Sequence, residues 1–270
     1  MNITFIGGGN MASALIGGLL QQGYLPTQIC VVEVSAEGRE RIKQEFNVEA
    51  VAELFQGVAN SNVVVLAVKP QQLPAVAREL AALLNNHLVI SIAAGVRAKD
   101  ISRWLGGYTR IVRAMPNTPA LVGAAVTGLY AMAGVCEAER GDAEAILGAV
   151  GSVLWVAREE LLDTVTAISG SGPAYVFYFI EAMQKAAHEL GLDAAQARKL
   201  SIDTFVGAAR LASLSSEEPA ALRARVTSPE GTTERAIRAL ENEGVKSAIL
   251  RAIHVANARS RELGDEFGNI

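Results

Sequence analysis

The stretch Asn2-Ile3-Thr4-Phe5-Ile6-Gly7-Gly8-Gly9-Asn10-Met11-Ala12-Ser13-Ala14-Leu15-Ile16-Gly17-Gly18-Leu19-Leu20 governs how the rest of the chain is read. A short β-rich apolar run enters three glycines, and an apolar pattern of helical period follows. This is the G-x-G-x-x-G/A spacing of a dinucleotide-binding turn, with Ala12 in the last place. Gly7 lets the chain turn tightly out of the strand. Gly9 leaves the backbone bare so that a pyrophosphate can approach, and Ala12 lets the helix pack close to the strand. The free N–H groups and positive dipole end of that helix then face the phosphates.

Three glycines alone also describe a turn that binds nothing; the flanking elements decide. A second apolar run, Ile29-Cys30-Val31-Val32, ends in Glu33. That residue lies about 20 positions after the turn, where an acidic side chain meets a ribose.

Composition narrows the class. The chain of 270 residues is half hydrophobic, so it can bury the cores of two domains without disulfides or metals. A formal net charge of −4 with no basic block makes nucleic acid and anionic membrane poor partners. Only Cys30 and Cys136 are present, and Cys30 falls in a strand predicted to be buried, so a reducing, cytoplasmic setting is expected. Met1 leads straight into strand and turn with no basic leader, and no apolar run reaches membrane-span length. His87, His188 and His254 are scattered, and no metal motif is present.

Up to Val156 strand and helix patterns alternate. Val63-Val64-Val65-Leu66-Ala67-Val68 is a continuous apolar run of the kind shown by a parallel strand buried on both faces, and Lys69-Pro70 stops it. Leu88–Ile92 runs into Ala93-Ala94-Gly95, and Thr109–Ala114 into Met115-Pro116-Asn117-Thr118. Residues 124–130 add a strand, 138–150 a helix, and 153–156 a last strand. Repeated units of this kind predict an α/β fold with a doubly wound parallel sheet, in which ligands bind at the carboxyl ends of the strands. Those ends are Gly7–Met11, Glu33–Ser35, Val68–Pro70, Ala93–Gly95 and Met115–Thr118, so Ser35 and Asn117 join the candidate cofactor residues.

Beyond Val156 every pattern is helical. Ala174–Ala187 is apolar nearly all round, and Asp193 with Gln196 forms a capping box for the next helix. The division expected is a dinucleotide-binding domain over 1–158 and an all-helical domain over 159–270. So much apolar helix surface predicts packing against a second copy of the chain. Two segments open helices with small and hydroxyl residues: Ser169-Gly170-Ser171-Gly172-Pro173-Ala174-Tyr175 and Thr227-Ser228-Pro229-Glu230-Gly231-Thr232-Thr233. Ser171 and Thr232 read as N-caps, and the exposed N–H groups beside them suit a small carboxylate. No nucleophile elbow and no His–carboxylate pair accompany them. A protonated C=N needs little beyond hydride delivery and orientation, so imine reduction fits this inventory.

Phe5–Ala12, Ala67-Val68-Lys69-Pro70, Met115-Pro116-Asn117-Thr118-Pro119, Ile168–Tyr175 and Val226–Thr233 together resemble the pyrroline-5-carboxylate reductase family, over residues 2 to about 263. The resemblance implies a Rossmann-like domain followed by a helical domain that interlocks with a second subunit, with decamers built from such dimers. It implies reduction of 1-pyrroline-5-carboxylate to L-proline, the last step of proline synthesis, with NADPH or NADH. By the same resemblance Gly7, Gly9, Asn10, Met11, Val68, Lys69 and Ala94 bind the cofactor. Gly231 and Thr232 hold the substrate carboxylate, Thr233 partners the ring nitrogen, and Glu159 and Ser171 belong to the substrate surroundings.

Two positions depart from the family pattern: Glu230-Gly231 where Gly-Gly is frequent, and Glu33-Val34 where Ser or Arg is frequent. An acid at position 33 accepts from a ribose 2′-hydroxyl and repels a 2′-phosphate, which makes NADH a candidate beside NADPH; Arg39 is the nearest cation in sequence. A β-hydroxyacid dehydrogenase of the same architecture is the second reading. It expects a lysine with an asparagine one turn on, whereas Lys185 is followed by Glu189. A non-catalytic NAD(P)-binding protein is the third.

Overall fold

The computed structural model describes all residues from Met1 to Ile270. In chain order the first elements are β1 (Ile3–Ile6), α1 (Asn10–Gln21), β2 (Ile29–Val32), α2 (Ala36–Phe46), β3 (Glu49–Val51), α3 (Leu54–Val58) and β4 (Val63–Leu66). Then come α4 (Leu73–Leu80), β5 (Leu88–Ser91), α5 (Ala98–Trp104), β6 (Ile111–Met115), β7 (Ala125–Ala131), α6 (Glu137–Gly148) and β8 (Gly151–Trp155). The strands form one sheet in the order β3-β2-β1-β4-β5-β6-β7-β8.

Every residue of β1, β4 and β5 is buried, because helices cover both faces of the sheet. Successive side chains go to opposite faces. Ile3, Phe5, Val63, Val65 and Ile90 join Leu15, Ile16 and Leu19 of α1 and Ile146 of α6 in one core. Ile6, Val64, Leu66 and Val89 join Leu73 and Leu80 of α4 and Ile101 of α5 in the other. β1 pairs in parallel with β2 on one side and β4 on the other, so the order in which strands are added reverses at β1. That switch opens a crevice at the carboxyl ends of the strands.

Two details lay outside the sequence reading. Glu49–Val51 is a strand at the sheet edge, too short to show a period. β7 runs antiparallel to β6 in an otherwise parallel sheet. A parallel neighbour needs a crossover of about a dozen residues or more. The link from Met115 to Ala125 holds only the short 3₁₀ turn Thr118–Val122.

The helical elements are α7 (Leu161–Val165), a π-turn over Thr166–Gly170, α8 (Gly172–Glu189), α9 (Ala194–Leu214), α10 (Pro219–Arg225), α11 (Thr232–Asn242) and α12 (Val245–Gly268). The capping box of α9 is present: Asp193 Oδ1 accepts the Gln196 N–H at 2.8 Å and Gln196 Oε1 accepts the Asp193 N–H at 3.1 Å. By contacts, Met1–Ser171 with Val255–Ile270 forms one compact unit and Gly172–His254 a second. The division at 158/159 follows the change from mixed to helical elements, whereas the compact units follow packing.

Within the first unit, the Val255–Ile270 part of α12 lies against α5 and the end of β5. Leu263 and Phe267 pack with the second core. Ser260 Oγ donates to Asp163 Oδ1 at 2.7 Å, and Arg97 Nη1 meets Asp265 Oδ1 at 2.7 Å. No helix is long and apolar enough to cross a membrane.

Candidate active site

In the first unit a cleft of about 410 Å³ lies at the carboxyl ends of β1, β2 and β4, and it brings together Gly7, Gly9, Glu33, Val68 and Lys69. Gly7 has φ +99°, and a Cβ there would stand 2.8 Å from the Ala67 carbonyl oxygen, so only glycine fits. Gly9 has ordinary backbone geometry, and a Cβ there would meet nothing within 4 Å. That open space over the turn is where a pyrophosphate could come close. Gly9 is also the N-cap of α1 and supplies no side-chain acceptor. The first intrahelical bond runs from Ser13 N–H to Gly9 O at 2.9 Å, which leaves the Asn10, Met11 and Ala12 N–H groups free for an anion.

The rim is organised by Glu33. Its Oε2 accepts the Gly8 N–H at 3.0 Å, and its Oε1 accepts the Ser35 N–H at 3.0 Å. Ser35 in turn caps α2, its Oγ accepting the Gly38 N–H at 3.2 Å. Arg39 Nη1 donates to the carbonyls of Glu33 and Val34, both at 2.8 Å. Arg41 Nη2 donates to Gly8 O at 2.5 Å. These pairings were not legible in the sequence.

Ala94 is exposed at the end of β5, beside Gly95 at φ +77°. Asn117 is buried, and both ends of its amide are engaged: Nδ2 donates to Ser169 O at 3.0 Å and Oδ1 accepts the Val126 N–H at 2.9 Å. It therefore joins the end of β6 to β7 and to the Ser169–Ser171 segment.

Glu159 lines a different cavity of the same unit, about 540 Å³ in volume, with Arg97, Lys99, Arg113, Asp163 and Arg261. Its Oε1 accepts the Ala98 N–H at the start of α5 at 2.6 Å and Arg113 Nη1 at 2.9 Å. Arg113, which sequence reasoning missed, is the one charged residue in the Ile111-Val112-Arg113-Ala114-Met115 strand. A charge inside an apolar strand signals a buried partner.

Ser171 follows the π-turn, and its N–H donates to Thr166 O at 2.8 Å. Its hydroxyl makes no hydrogen bond within the chain. Ser171 is in helical conformation and does not act as the expected N-cap.

In the second unit, Thr232 is the first residue of α11 and Gly231 is the N-cap, which corrects the assignment of Thr232 as the cap. The shift follows from Glu230, which sits in the left-handed region at φ +58°. Its N–H donates to Glu234 Oε2 at 2.7 Å. Glycine adopts this conformation without strain, whereas a residue with a side chain such as Glu230 does not. Glu230 is exposed. Gly231 offers no side-chain cap, and the first helical bond runs from Arg235 N–H to Gly231 O. The Thr232, Thr233 and Glu234 N–H groups are thus free, with the Thr232 and Thr233 hydroxyls unbonded beside them.

Comparison with known proteins identifies the family. Residues 159–263 match the family described as pyrroline-5-carboxylate reductase dimerisation, and residues 2–95 match the one described as NADP oxidoreductase, coenzyme F420-dependent. The pyrroline-5-carboxylate reductase of Pseudomonas aeruginosa is 46% identical over 98% of each chain. A solved pyrroline-5-carboxylate reductase from Coxiella burnetii superposes with a TM-score of 0.93 at 45% identity, covering 97% of this chain and 98% of that one. The Plasmodium falciparum enzyme, solved with NADP bound, gives a TM-score of 0.88 at 26% identity, covering 98% of each. Near-complete coverage at such identity, together with the free helix N-termini, places this chain in the pyrroline-5-carboxylate reductase family.

Proposed function

We propose that this chain reduces 1-pyrroline-5-carboxylate to L-proline, the last step of proline synthesis, as an NAD(P)H-dependent reductase working in the cytoplasm. The observation that carries the reading is a matched pair of uncapped helix starts. The glycine turn before α1 suits a pyrophosphate, and Gly231-Thr232-Thr233 before α11 suits a small carboxylate. In this reading residues 1–158 handle the dinucleotide, and residues 159–270 handle the substrate and self-association.

When bound, the dihydronicotinamide supplies a hydride to the C=N carbon, and the ring nitrogen holds a proton. Gly7 and Gly9 keep the turn open, the Asn10 and Met11 amides hold phosphate, and Val68, Lys69 and Ala94 flank the cofactor. Glu33 and Ser35 border its ribose, and Asn117 holds the strand ends in register. Gly231 and Thr232 fix the substrate carboxylate. The Thr233 hydroxyl bonds the ring nitrogen; within the sheet-based unit Ser171 offers a hydroxyl toward substrate, and Glu159 seats Arg113 in its own cavity.

The second unit exposes Phe177, Tyr178, Leu190, Val206 and Leu214, and α8 has no buried residue in the single chain. A second copy covers this surface, giving a homodimer from which larger rings, such as decamers, are built.

Oxidation of NADH or NADPH followed at 340 nm, with L-proline quantified as product, tests the reaction. Turnover that requires pyrroline-5-carboxylate is expected. Reduction of NAD+ or NADP+ by a β-hydroxy acid, with no oxidation of NADH or NADPH by pyrroline-5-carboxylate, would overturn it.

A further inference from the structure

We infer that Glu33 makes this chain an NADH-selective member of its family: a fixed carboxylate at the ribose position that rejects a 2′-phosphate. The inference rests on the dinucleotide-reductase reading and deepens it.

Three features of the cleft support it. The first is the fixation of Glu33 itself. Its two oxygens each hold one backbone N–H, that of Gly8 and that of Ser35. Gly38 lies so close behind it that a Cβ there would stand 2.8 Å from Glu33 Cγ. To swing away from an incoming phosphate, the side chain would have to surrender both bonds. A carboxylate has about four acceptor positions, so two remain for the 2′- and 3′-hydroxyls of an unphosphorylated ribose.

The second is the engagement of the nearby cations. A 2′-phosphate carries nearly two negative charges and is ordinarily met by arginine. Arg39 is held on the carbonyls of Glu33 and Val34, and Arg41 on the carbonyl of Gly8 with Glu45 beside it. Both guanidiniums brace the backbone of the turn, and neither lines the cleft.

The third is the charge of the cleft wall. Its charged lining residues are Glu33, Glu53 and Glu79 against Lys69 alone. An additional phosphate would enter a field already negative, where like-charge juxtaposition is penalised.

The test is direct binding of NADH and of NADPH to the full chain without substrate, read by nicotinamide fluorescence at fixed ionic strength. NADH is expected to bind at least about tenfold more tightly than NADPH. Glu33→Ser is expected to close or invert that gap. Glu33→Gln, which removes the charge and keeps the size, is expected to narrow it. Arg39→Ala is expected to leave NADPH affinity unchanged. Equal or tighter NADPH binding by the unaltered protein would overturn the inference, and so would a gap unmoved by both Glu33 variants. A loss of NADPH binding in Arg39→Ala would show that arginine leaving its carbonyls for the phosphate. Because no pyrroline substrate is present, failure of the proposed reaction leaves this result standing. A chain that binds neither dinucleotide overturns both.

Discussion

The Arg113 guanidinium and the Glu159 carboxylate meet at 2.9 Å across 46 residues of chain, with the arginine side chain only 3% exposed. The same carboxylate oxygen takes the Ala98 N–H that opens α5. One group therefore neutralises a charge in the middle of the sheet and closes a helix end. Removing one partner of an enclosed pair leaves the other charge uncompensated. Glu159→Gln is accordingly expected to lower stability by about 3 kcal/mol. Denaturant unfolding at fixed protein concentration checks this, and a change below about 1 kcal/mol would show that Arg113 finds water instead.

Gly7 and Gly9 separate folding from binding. Gly7→Ala places a side chain against Ala67 O at a positive φ, and a loss of about 2 kcal/mol or more in stability is expected. Gly9→Ala meets open space at an ordinary φ, so stability should stay within about 0.5 kcal/mol. Its cost should appear in dinucleotide affinity, at about tenfold or more. Calorimetric melting and cofactor titration of the two variants give the comparison.

Thr233→Ala should lower kcat/KM for pyrroline-5-carboxylate by roughly 10- to 100-fold if its hydroxyl bonds the ring nitrogen. Cofactor affinity should not move. An unchanged kcat/KM would remove Thr233 from that role.

Stability should fall on the acid side in two stages. Burial, reinforced by the Arg110 charge, holds His87 below its ordinary value of 6.5. The folded state therefore binds this proton less readily than the unfolded chain. Full stability is present above 6.5 and is lost as pH falls from there toward the lowered value. Burial alone would raise Glu139, but the Cys136 N–H at 2.8 Å and Arg110 at 2.7 Å outweigh it and lower its pKa from 4.5. Its contribution is present above 4.5 and disappears as pH falls further. Urea midpoints across about pH 8 to 2 should show both declines. His87→Gln should flatten the first only, and Glu139→Gln the second only.

Self-association should depend on the exposed face of α8. Phe177 is 65% exposed in the single chain. A carboxylate there, Phe177→Glu, should weaken assembly by roughly 2–3 kcal/mol, read as a shift to smaller species by light scattering. An unchanged mass would place the interface elsewhere.

The sequence disclosed what local chemistry determines. The strand–glycine–helix start shows in Ile3–Leu20, and the buried strands β4 and β5 show as unbroken apolar runs. The Asp193–Gln196 capping box is a three-residue signal. Features set by distant partners stayed hidden. Glu33 could be read as a ribose ligand, but its bonds to Gly8 and Ser35, and the diversion of Arg39 and Arg41 to carbonyls, depend on how two loops meet. Arg113 stood out as an oddity in a strand without naming Glu159. The cap of α11 moved from Thr232 to Gly231 because Glu230 takes a left-handed conformation, which propensity disfavours for that residue.

The unit built on the sheet is written in two pieces of chain, and this has a consequence for its birth on the ribosome. Leu263 and Phe267 fill the space beside Gly95 and Val96, yet Gly172–His254 is translated before them. At about 5–20 residues per second, the apolar berth on α5 stands open for roughly 5–20 s after Ser171 has been made. The nascent sheet-based unit therefore passes through an interval without the Leu263 and Phe267 contacts that α12 supplies. Its closure waits on the arrival of α12, so the helical unit is synthesised before the sheet-based unit that precedes it can be complete.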